Sequence, residues 1–565
     1  MSGIDWLILL LTLAGIIAYG VYKGRGQTGS DSYLLANKNM PWYVVLLGIM
    51  ATQASAITFL SAPGQAYTDG MRFVQYYFGL PIAMIVISVT FIPIFQKLNV
   101  YTAYEYLEHR FDRNTRLLTS VLFLISRGLS TGISIYAPSI ILSSIMGWNI
   151  YLTNVITGGL LIVYTYTGGA KAIAHTQKLQ FIIILSAMAI AGFLVVQKLP
   201  DGIGFSDALY IAGKSGKLNV ITTDFNWQDR YNIWSGVIGG FFLALSYFGT
   251  DQSQVGRYIS GKDLKQSRLG LLLNGLVKIP MQFAILLLGA LLFSFYTFQP
   301  APAYFNESIY AETKNAHPEK IQPIENRFFS LQKQYQQQAH NIIANKRAGK
   351  AEQINAGIAD LKQTQKQINS TREDIRNAIV ENNSHADAND TNYIFLYFVT
   401  HSLPKGIIGL LFAVIFLASW GSISAALNSL ASSSLMDIHL LCTKATPPQE
   451  KQLLYGRLHT LGWGIFCIAV AMFATQMGSL IEAVNILGSL FYGTILGIFL
   501  VAFYCKRIGG QPVLYAAIIT EVCVIAIYCL HIVSFLWLNV IGTLLVMMLA
   551  WAIHIFQGQK AETVG

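Results

Sequence analysis

Apolar stretches alternate with short polar connections along almost the whole 565-residue chain. A helix needs about 20 consecutive apolar residues to cross the hydrocarbon core of a bilayer, and thirteen stretches reach or approach that length. The pattern predicts an all-α polytopic membrane protein with about 13 transmembrane helices. The predicted spans lie near residues 4–23, 41–61, 73–98, 117–146, 149–167, 176–197, 232–257, 269–297, 404–438, 454–475, 479–505, 511–532 and 534–556.

One long polar segment interrupts this pattern. Residues 299–393 are rich in Gln, Asn, Lys and Ala, and their apolar residues recur only thinly, which is compatible with a solvated helical hairpin. The chain therefore divides into a first transmembrane part (1–298), a polar helical insertion (299–393) and a second transmembrane part (394–565). We expect the insertion to be an accessory unit rather than a catalytic one.

Composition and charge agree with a membrane location. Charged residues make up 12% of the chain, about half the share that is usual in soluble domains. Lys and Arg number 38 against 28 Asp and Glu. We interpret this excess as membrane topology rather than nucleic-acid binding, because the positive residues cluster in alternate connections. They are Lys23, Arg25, Lys97, Arg110, Arg113, Arg116, Arg257, Lys262, Lys265, Arg268, Lys444, Lys451, Arg457, Lys506, Arg507 and Lys560.

These clusters predict the orientation of the chain. By the positive-inside rule they face the cytoplasm, so we expect the N-terminus and the insertion outside and the C-terminus in the cytoplasm. The expected location is the inner or plasma membrane. No metalloprotease, serine-hydrolase or P-loop motif occurs in a suitable context, so the sequence does not predict an enzyme.

Two predicted spans contain residues that are unusual in a lipid-facing helix. The second span includes "MATQASAITFLSAPG" (50–64), where hydroxyl and amide side chains precede a Pro-Gly pair at which we expect the helix to stop. The seventh includes the glycine-rich "WSGVIGGFFLALSYFGTDQ" (234–252). With the first span and the last two set aside, these are the first helices of two five-span halves. Transporters with inverted repeats break such helices near the membrane midplane, where substrate and ion bind.

Several segments, in the same order, resemble the solute:sodium symporter family. "YTYTGGAKAIAHTQKLQ" (164–180), "GTDQSQVGR" (249–257) after "LALSYF", and "NSLASSSLMDIH" (428–439) resemble segments of sodium/glucose cotransporters. "SAITFLSAPGQAY" and "IYAPSIIL" resemble the branch of sialic acid, monocarboxylate, vitamin and iodide symporters. The resemblance runs from about residue 4 to 510, apart from the insertion. It implies a LeuT-type core of two inverted five-helix repeats with broken helices.

The resemblance also implies one sodium site between the first and eighth core helices. The implied ligands are the backbone carbonyls of Ala51, Ala54 and Ala418 and the side-chain positions of Gly421 and Ser422. Neutral oxygens suit a hard, dehydrated cation. Gly421 departs from the family pattern because it has no hydroxyl, so Ser422 serves alone or is joined by Ser419, Ser424 or a water. The alternative is that these serines are small helix-packing residues.

A second sodium ion is not expected. The Thr-Asp pair of the family's second site reads Thr176-Gln177 here, and Ala425 stands where that site has a serine. The next residue, Lys178, carries an ammonium group that can stand in for a bound cation. Alternatively, Lys178 lies at the cytoplasmic mouth and extends its charge to water.

Nine residues are candidates for solute binding. They are Gln53, Ser55, Thr58, Gln75, Tyr77, Arg127, Tyr247, Phe248 and Lys278. Arg127 lies in the middle of an apolar span, where an arginine is costly and faces a partner or a wet cavity. Its planar guanidinium matches a carboxylate, so we expect it to bind an acidic solute; the alternative is a structural ion pair with Asp251. Lys278 is a second candidate for an anion.

Together these features predict a sodium-coupled secondary active symporter that imports a small polar organic solute. An acidic sugar or another carboxylate is the preferred solute, given Arg127, and a neutral sugar is the alternative. A non-transporting solute sensor is an alternative from another class. We expect Na⁺ as the co-transported ion, a monomer or weak oligomer in the lipid bilayer, and no nucleic-acid partner.

Overall fold

The computed structural model describes residues 1–24, 39–98, 100–383, 386–443, 447–474 and 477–563. Within these ranges the side chains of residues 21, 23, 24, 167–175, 449 and 558–563 are not described. Four of the positive residues that predict the orientation therefore lie outside the described residues or have side chains that are not described. They are Lys23, Arg25, Lys444 and Lys560. The same holds for part of the segment 164–180.

The described residues form a helical bundle with a helical insertion. In the first transmembrane part the helices are α1 (Gly3–Gly24), α2 (Trp42–Gln53), α3 (Ala56–Asp69), α4 (Leu80–Val89), α5 (Phe91–Leu98), α6 (Glu105–Arg110), α7 (Arg113–Met146), α8 (Ile150–Gln197), α9 (Phe205–Lys214), α10 (Gly240–Thr250), α11 (Gln252–Ile259) and α12 (Leu264–Phe298). The insertion holds α13 (Glu307–Ala316), α14 (Pro318–Arg347) and α15 (Ala351–Asn382). The second part holds α16 (Ile394–Ser402), α17 (Ile407–Ser433), α18 (Leu440–Thr443), α19 (Gln449–Ala471), α20 (Leu480–Tyr504), α21 (Gly510–Cys529) and α22 (Phe535–Thr563). Short 3₁₀ segments cover Met71–Tyr77 and Asp390–Tyr393, and short π-helical segments cover Ser235–Gly239 and Ser434–His439.

The predicted spans all fall on helical segments. Among the described residues, ten helices are long and apolar enough to cross a membrane, and α2 with α3 forms an eleventh that is bent by 58°. The other two predicted spans, 149–167 and 232–257, correspond to the shorter apolar segments Ile150–Tyr166 and Ser235–Thr250. The all-α membrane fold is confirmed. The connection expected between the fifth and sixth spans is helical instead, because α8 runs without interruption through it.

The second predicted span is a broken helix. At the break the Ser55 N–H donates to Gln53 O over 2.9 Å and the Thr58 N–H donates to Ser55 O over 3.0 Å. In an uninterrupted α-helix these two N–H groups would donate to the carbonyls four residues earlier, which are those of Ala51 and Ala54. The break therefore releases two carbonyl oxygens deep in the bundle, where other polar partners are scarce.

The expected stop at Pro63-Gly64 is wrong, because Pro63 lies inside α3 and the helix continues to Asp69. Gly64 has a packing role instead. A Cβ atom at Gly64 would lie 1.9 Å from the carbonyl oxygen of Thr391, so only glycine lets the 3₁₀ segment Asp390–Tyr393 approach α3 so closely. The proline and glycine therefore mark a close helix contact and not a helix end.

The seventh predicted span is also broken, but at Asp251 and not at its glycines. α10 ends at Thr250, Asp251 has extended backbone, and its carboxylate accepts the Ser253 N–H over 2.8 Å at the start of α11. The glycines allow close packing. A Cβ at Gly236 would lie 2.4 Å from Gln75 O, so the π segment and the 3₁₀ segment touch through their backbones.

The insertion forms a helical hairpin of α14 and α15, with α13 beside it. The two long helices pack on each other through apolar residues that recur along one face of each, and α14 also contacts α12. The buried apolar residues of the hairpin include Ile321, Phe328, Tyr335, Ile342, Ile343, Leu361, Ile368 and Ile375. The few apolar residues of this segment are therefore enough to pack α14 against α15.

Candidate functional site

A cavity of about 120 Å³ lies between the two broken helices. Residues from α2, α3, the 3₁₀ segment Met71–Tyr77, α4, α7, α10, α12 and α20 line it. Eight of the nine predicted solute residues are among them: Gln53, Ser55, Thr58, Tyr77, Arg127, Tyr247, Phe248 and Lys278. Predicted residues of six separate helical elements thus converge on one cavity.

Gln75 is the predicted solute residue that does not line the cavity. Its side chain is fully buried and holds the connection between α9 and the π segment. The Gln75 amide donates to Tyr231 O over 3.1 Å, and its oxygen accepts the Thr222 N–H over 3.1 Å. Both ends of this amide are therefore engaged in structure.

The cavity wall combines amide, hydroxyl and ammonium groups. The Gln53 amide donates to Asn274 Oδ1 over 3.0 Å, and the Thr58 hydroxyl to Gln53 O over 3.3 Å. Lys278 is 2% exposed, and its Nζ lies 5.6 Å from the centre of the Tyr77 ring. Lys278 forms no ion pair with any of the described residues. A buried cation without a counter-charge is costly, which makes Lys278 the side chain with the greatest need for an anion.

Arg127 is paired with Asp251, the alternative that the sequence left open. The Arg127 Nε donates to Asp251 Oδ2 over 3.0 Å, and a second guanidinium nitrogen also contacts that oxygen. The Tyr492 hydroxyl completes the group, 2.8 Å from Arg127 and 3.0 Å from Asp251. Asp251 is the residue at which the seventh span breaks, so this ion pair joins α7 to the break.

Three cavity residues with polar side chains were not predicted from the sequence: Tyr76, Asn485 and Tyr492. The Tyr76 hydroxyl donates to Asn485 Oδ1 over 3.3 Å, and both Asn485 and Tyr492 lie on α20. The signal in the sequence was an asparagine in an otherwise apolar stretch. An amide inside a membrane helix needs a polar partner, so Asn485 was a candidate on the same grounds as Arg127.

The residues of the predicted sodium site are all buried at the break between α2 and α3 and on the middle of α17. Ala51, Ala54, Ala418 and Ser422 are each at most 7% exposed. The Ser422 hydroxyl donates to Ala418 O over 2.9 Å, which leaves the hydroxyl oxygen able to accept a cation. α17 contacts both halves of the broken helix.

Two glutamines of α8 fill the space beside Gly421. The Gln177 amide donates to Gly421 O over 2.9 Å and approaches the Thr52 hydroxyl at 3.4 Å. A Cβ at Gly421 would lie 2.6 Å from Gln180 Oε1. Gln180 is 1% exposed, and among the described residues neither end of its amide has a hydrogen-bond partner. Gly421 supplies no hydroxyl, but the Gln180 Oε1 atom lies beside it and has no hydrogen-bond partner among the described residues.

Lys178 lies on the surface, where its Nζ sits 5.3 Å from the centre of the Tyr43 ring. This placement favours the interfacial alternative over the replacement of a bound cation.

A bundle of apolar helices around a cavity with polar side chains, with one broken helix on either side, is typical of secondary transporters built from inverted repeats. The model of the Sodium:solute symporter family matches residues 33–323 and 377–520. The chain therefore belongs to the sodium:solute symporter family. The match omits residues 324–376, which hold most of α14 and α15.

Known proteins of several transport activities resemble the chain. The sodium/sialic acid symporter NanT of Aliivibrio fischeri is 25% identical over 556 residues, 97% of this chain and 92% of the relative. The human sodium/iodide cotransporter is 31% identical over 299 residues, 52% of this chain and 45% of the relative. The solved structure of a Na⁺-coupled sialic acid symporter in an outward-open state has a similar fold, with a TM-score of 0.75, 23% identity and 98% of each chain covered.

These comparisons confirm the predicted family, the LeuT-like fold and sodium-coupled symport. The chain is a multi-pass membrane protein, and its family and relatives are transporters. Sodium is the co-transported ion.

Proposed function

We propose that the solute is a small polar molecule with a carboxylate, of the acidic-sugar or monocarboxylate class. The observation that carries this proposal is the buried Lys278 ammonium, which lines the cavity without an anionic partner among the described residues. A solute carboxylate supplies the missing counter-charge, and Gln53, Ser55 and Thr58 offer hydrogen bonds to hydroxyl or amide groups of the solute. The similarity to sialic acid symporters supports the same class.

Arg127 has a different part in this proposal. It lines the same cavity, but a solute carboxylate must compete with Asp251 for its guanidinium. In this proposal Arg127, paired with Asp251, forms part of the cavity wall, and Lys278 binds the carboxylate of the solute.

We propose that one sodium ion binds at the break between α2 and α3. The ligands in this proposal are the carbonyl oxygens of Ala51, Ala54 and Ala418, the Ser422 hydroxyl and Gln180 Oε1 in place of a hydroxyl at Gly421. The released carbonyls and the unpartnered Gln180 amide support it. Sodium and solute then share one broken helix. Each favours the same conformation, and this common preference couples their transport.

The cellular arrangement is also proposed. The positive-inside pattern supports a location in the plasma membrane, with the N-terminus and the insertion 299–393 outside and the C-terminus in the cytoplasm. In this arrangement the first transmembrane part is 1–298 and the second 394–565, and the protein acts as a monomer or weak oligomer.

Uptake into proteoliposomes tests the solute class. With an inward sodium gradient we expect accumulation of labelled N-acetylneuraminate or pyruvate, and no accumulation with potassium instead. Lys278→Met should reduce this uptake at least tenfold, because about 1.4 kcal/mol of lost attraction already corresponds to a factor of ten. Lys265→Met, an exposed lysine on the same helix α12, serves as the control and should transport normally.

Two results would contradict the proposal. Sodium-driven accumulation of a neutral hexose but of neither acid would assign a neutral sugar. Binding of the acids without accumulation would assign a sensor.

A further inference from the structure

A second cavity lies beneath the insertion, separate from the cavity of the symport site. Its volume is about 280 Å³, more than twice that of the central cavity, and no residue lines both. Its walls come from the end of α3, the loop after α9, the end of α12, the hairpin helices α14 and α15, and the 3₁₀ segment Asp390–Tyr393. On the predicted topology it opens to the outside of the cell.

One side of this cavity is aromatic. The Tyr67 ring contacts the rings of Phe293 at 5.7 Å, Tyr296 at 6.2 Å and Phe305 at 5.6 Å between centroids. Phe328 of α14 extends the aromatic surface on the hairpin side. Aromatic rings offer flat apolar faces, and tyrosine adds a polar edge.

The wall also carries charges of both signs in equal number. Three cationic side chains, Lys217, Arg372 and Arg376, face three acidic ones, Asp69, Glu373 and Asp390. The amides of Gln332, Gln365 and Asn369 stand among them. The wall has no net charge, so it gives a charged ligand no overall attraction. It nevertheless offers strong donors and strong acceptors side by side.

Several of these groups are bonded within the protein, such as Arg376 to Glu373 over 2.8 Å and the Gln332 amide to Tyr296 O over 2.7 Å. Arg372 is bonded more weakly. Its guanidinium carbon lies 4.7 Å from the centre of the Phe305 ring and 5.8 Å from that of Phe328. Its contact with Asp390 is long, at 3.6 Å, and its hydrogen bond to Pro302 O measures 3.3 Å. Arg372 is therefore stacked in a fixed orientation while its bonds to protein acceptors remain weak.

A neutral carbohydrate matches this combination of surfaces. Each sugar hydroxyl both donates and accepts a hydrogen bond, so one ring can bond to a carboxylate and to a guanidinium or amide at once. The C–H face of a pyranose is apolar and packs on an aromatic ring. We infer that the cavity between the insertion and the ends of α3 and α12 is a second binding site, specific for neutral saccharides and independent of the sodium-coupled solute site.

Saturation-transfer NMR with the full-length protein in lipid nanodiscs tests this inference. The probes are lactose and maltose, in potassium buffer without sodium. The disabling variant is Asn369→Trp, because Asn369 is exposed and lines the cavity, and an indole there fills the space. The matched control is Ser370→Trp, since Ser370 is the next residue of α15, is also exposed and does not line the cavity.

We expect saturation transfer to at least one disaccharide from the wild-type protein and from Ser370→Trp, with the same affinity in potassium and in sodium. In Asn369→Trp the dissociation constant should rise at least tenfold, the equivalent of about 1.4 kcal/mol. Three results would overturn the inference: no transfer to either disaccharide, equal binding by Asn369→Trp, or binding that requires sodium. The last result would assign the saccharide to the central cavity and would favour a neutral sugar as the symported solute, whereas the first two results leave the symport proposal unaffected.

Discussion

The oxygen of Ser422 is the side-chain ligand on which the proposed sodium site depends. Removing it leaves the ion with one neutral contact fewer, and a hydrogen bond or similar contact to a charged group is worth about 1.5–3 kcal/mol. Ser422→Ala should therefore raise the sodium concentration for half-maximal uptake about tenfold or more. Gln180→Leu should act in the same direction. The measurement is initial uptake in proteoliposomes over a series of sodium concentrations.

Ser429→Ala is the matched control for this change. Ser429 lies on the same helix and makes the same kind of bond, from its hydroxyl to Ala425 O over 2.9 Å. If Ser422→Ala leaves the sodium dependence unchanged, or if Ser429→Ala shifts it equally, the ion does not bind at Ser422.

The ion pair of Arg127 and Asp251 gives a second prediction at the residue scale. Asp251 is fully buried and the Arg127 side chain is 11% exposed. Taking away one partner of a buried pair strands the other charge, which costs about 3–5 kcal/mol. Asp251→Asn should therefore lower the thermal stability of the purified protein markedly, and the double variant Arg127→Met/Asp251→Asn should recover part of the loss.

Thermal unfolding followed by tryptophan fluorescence measures this effect. Glu373→Gln, which removes an acid that is 55% exposed, should have little influence. A double variant no more stable than Asp251→Asn would show that the stranded charge is not the cause.

Eight of the 18 residues that line the cavity could be predicted at this scale, because most of the eight stand in motifs. Gln75 does not line the cavity, although Tyr76 and Tyr77 of the same 3₁₀ segment do; in such a segment the faces of successive residues differ from those of an α-helix. Asn485 and Tyr492 were missed because no motif surrounds them on the apolar helix α20. Whether Arg127 meets a solute or Asp251 depends on a contact between residues 124 positions apart, which spacing alone does not reveal.

The glycines of the seventh span act at the scale of helical elements. Gly236 brings the π segment Ser235–Gly239 against the 3₁₀ segment that carries Tyr76 and Tyr77 into the cavity. A methyl group at residue 236 would lie 2.4 Å from Gln75 O and must push the two elements apart, at a cost of about 1–3 kcal/mol. Gly236→Ala should therefore lower both thermal stability and uptake.

Gly192→Ala is the control for this variant. Gly192 lies in α8, and a Cβ there meets nothing within 4 Å, so alanine should hold or slightly raise stability through its better helix propensity. Thermal unfolding and solute uptake, measured for both variants, test this prediction. Normal uptake by Gly236→Ala would show that the close approach is unimportant for the cavity.

The positions of the helix breaks were harder to predict than the helices. Apolar length located the helical segments, of which ten and one bent pair among the described residues are long enough to cross a bilayer. The breaks depend instead on tertiary contacts. Asp251 ends α10, where its carboxylate caps α11 and meets Arg127. Pro63 stays inside α3, and the next residue, Gly64, packs on Thr391. Proline and glycine in this sequence signal close packing as readily as they signal a break.

At the scale of the whole molecule, two polar networks close the bundle at opposite ends of the cavity. On the insertion side Glu482 accepts hydrogen bonds from Arg230 at 2.7 Å, Tyr231 at 2.9 Å and Gln65 at 3.3 Å. These join α20 to α3 and to the loop before the π segment.

The second network lies on the opposite side of the bundle. Arg116 of α7 contacts Asp437 at 2.7 Å and Glu108 at 2.6 Å. Asp437 also accepts the Thr102 hydroxyl at 2.6 Å. Both networks are formed at once in this structure.

Alternating access requires that the two networks open in turn, which gives a prediction for the molecule as a whole. Arg116→Gln weakens the network around Asp437, so the population shifts towards the form in which this network is open. The network around Glu482 should then be formed more of the time. Hydrogen–deuterium exchange should rise in α6 and in the segment Ser434–His439 and fall at the start of α20. Glu482→Gln should produce the reverse pattern. Faster exchange at both ends in either variant would show that the two networks do not open in turn. That result would contradict the prediction.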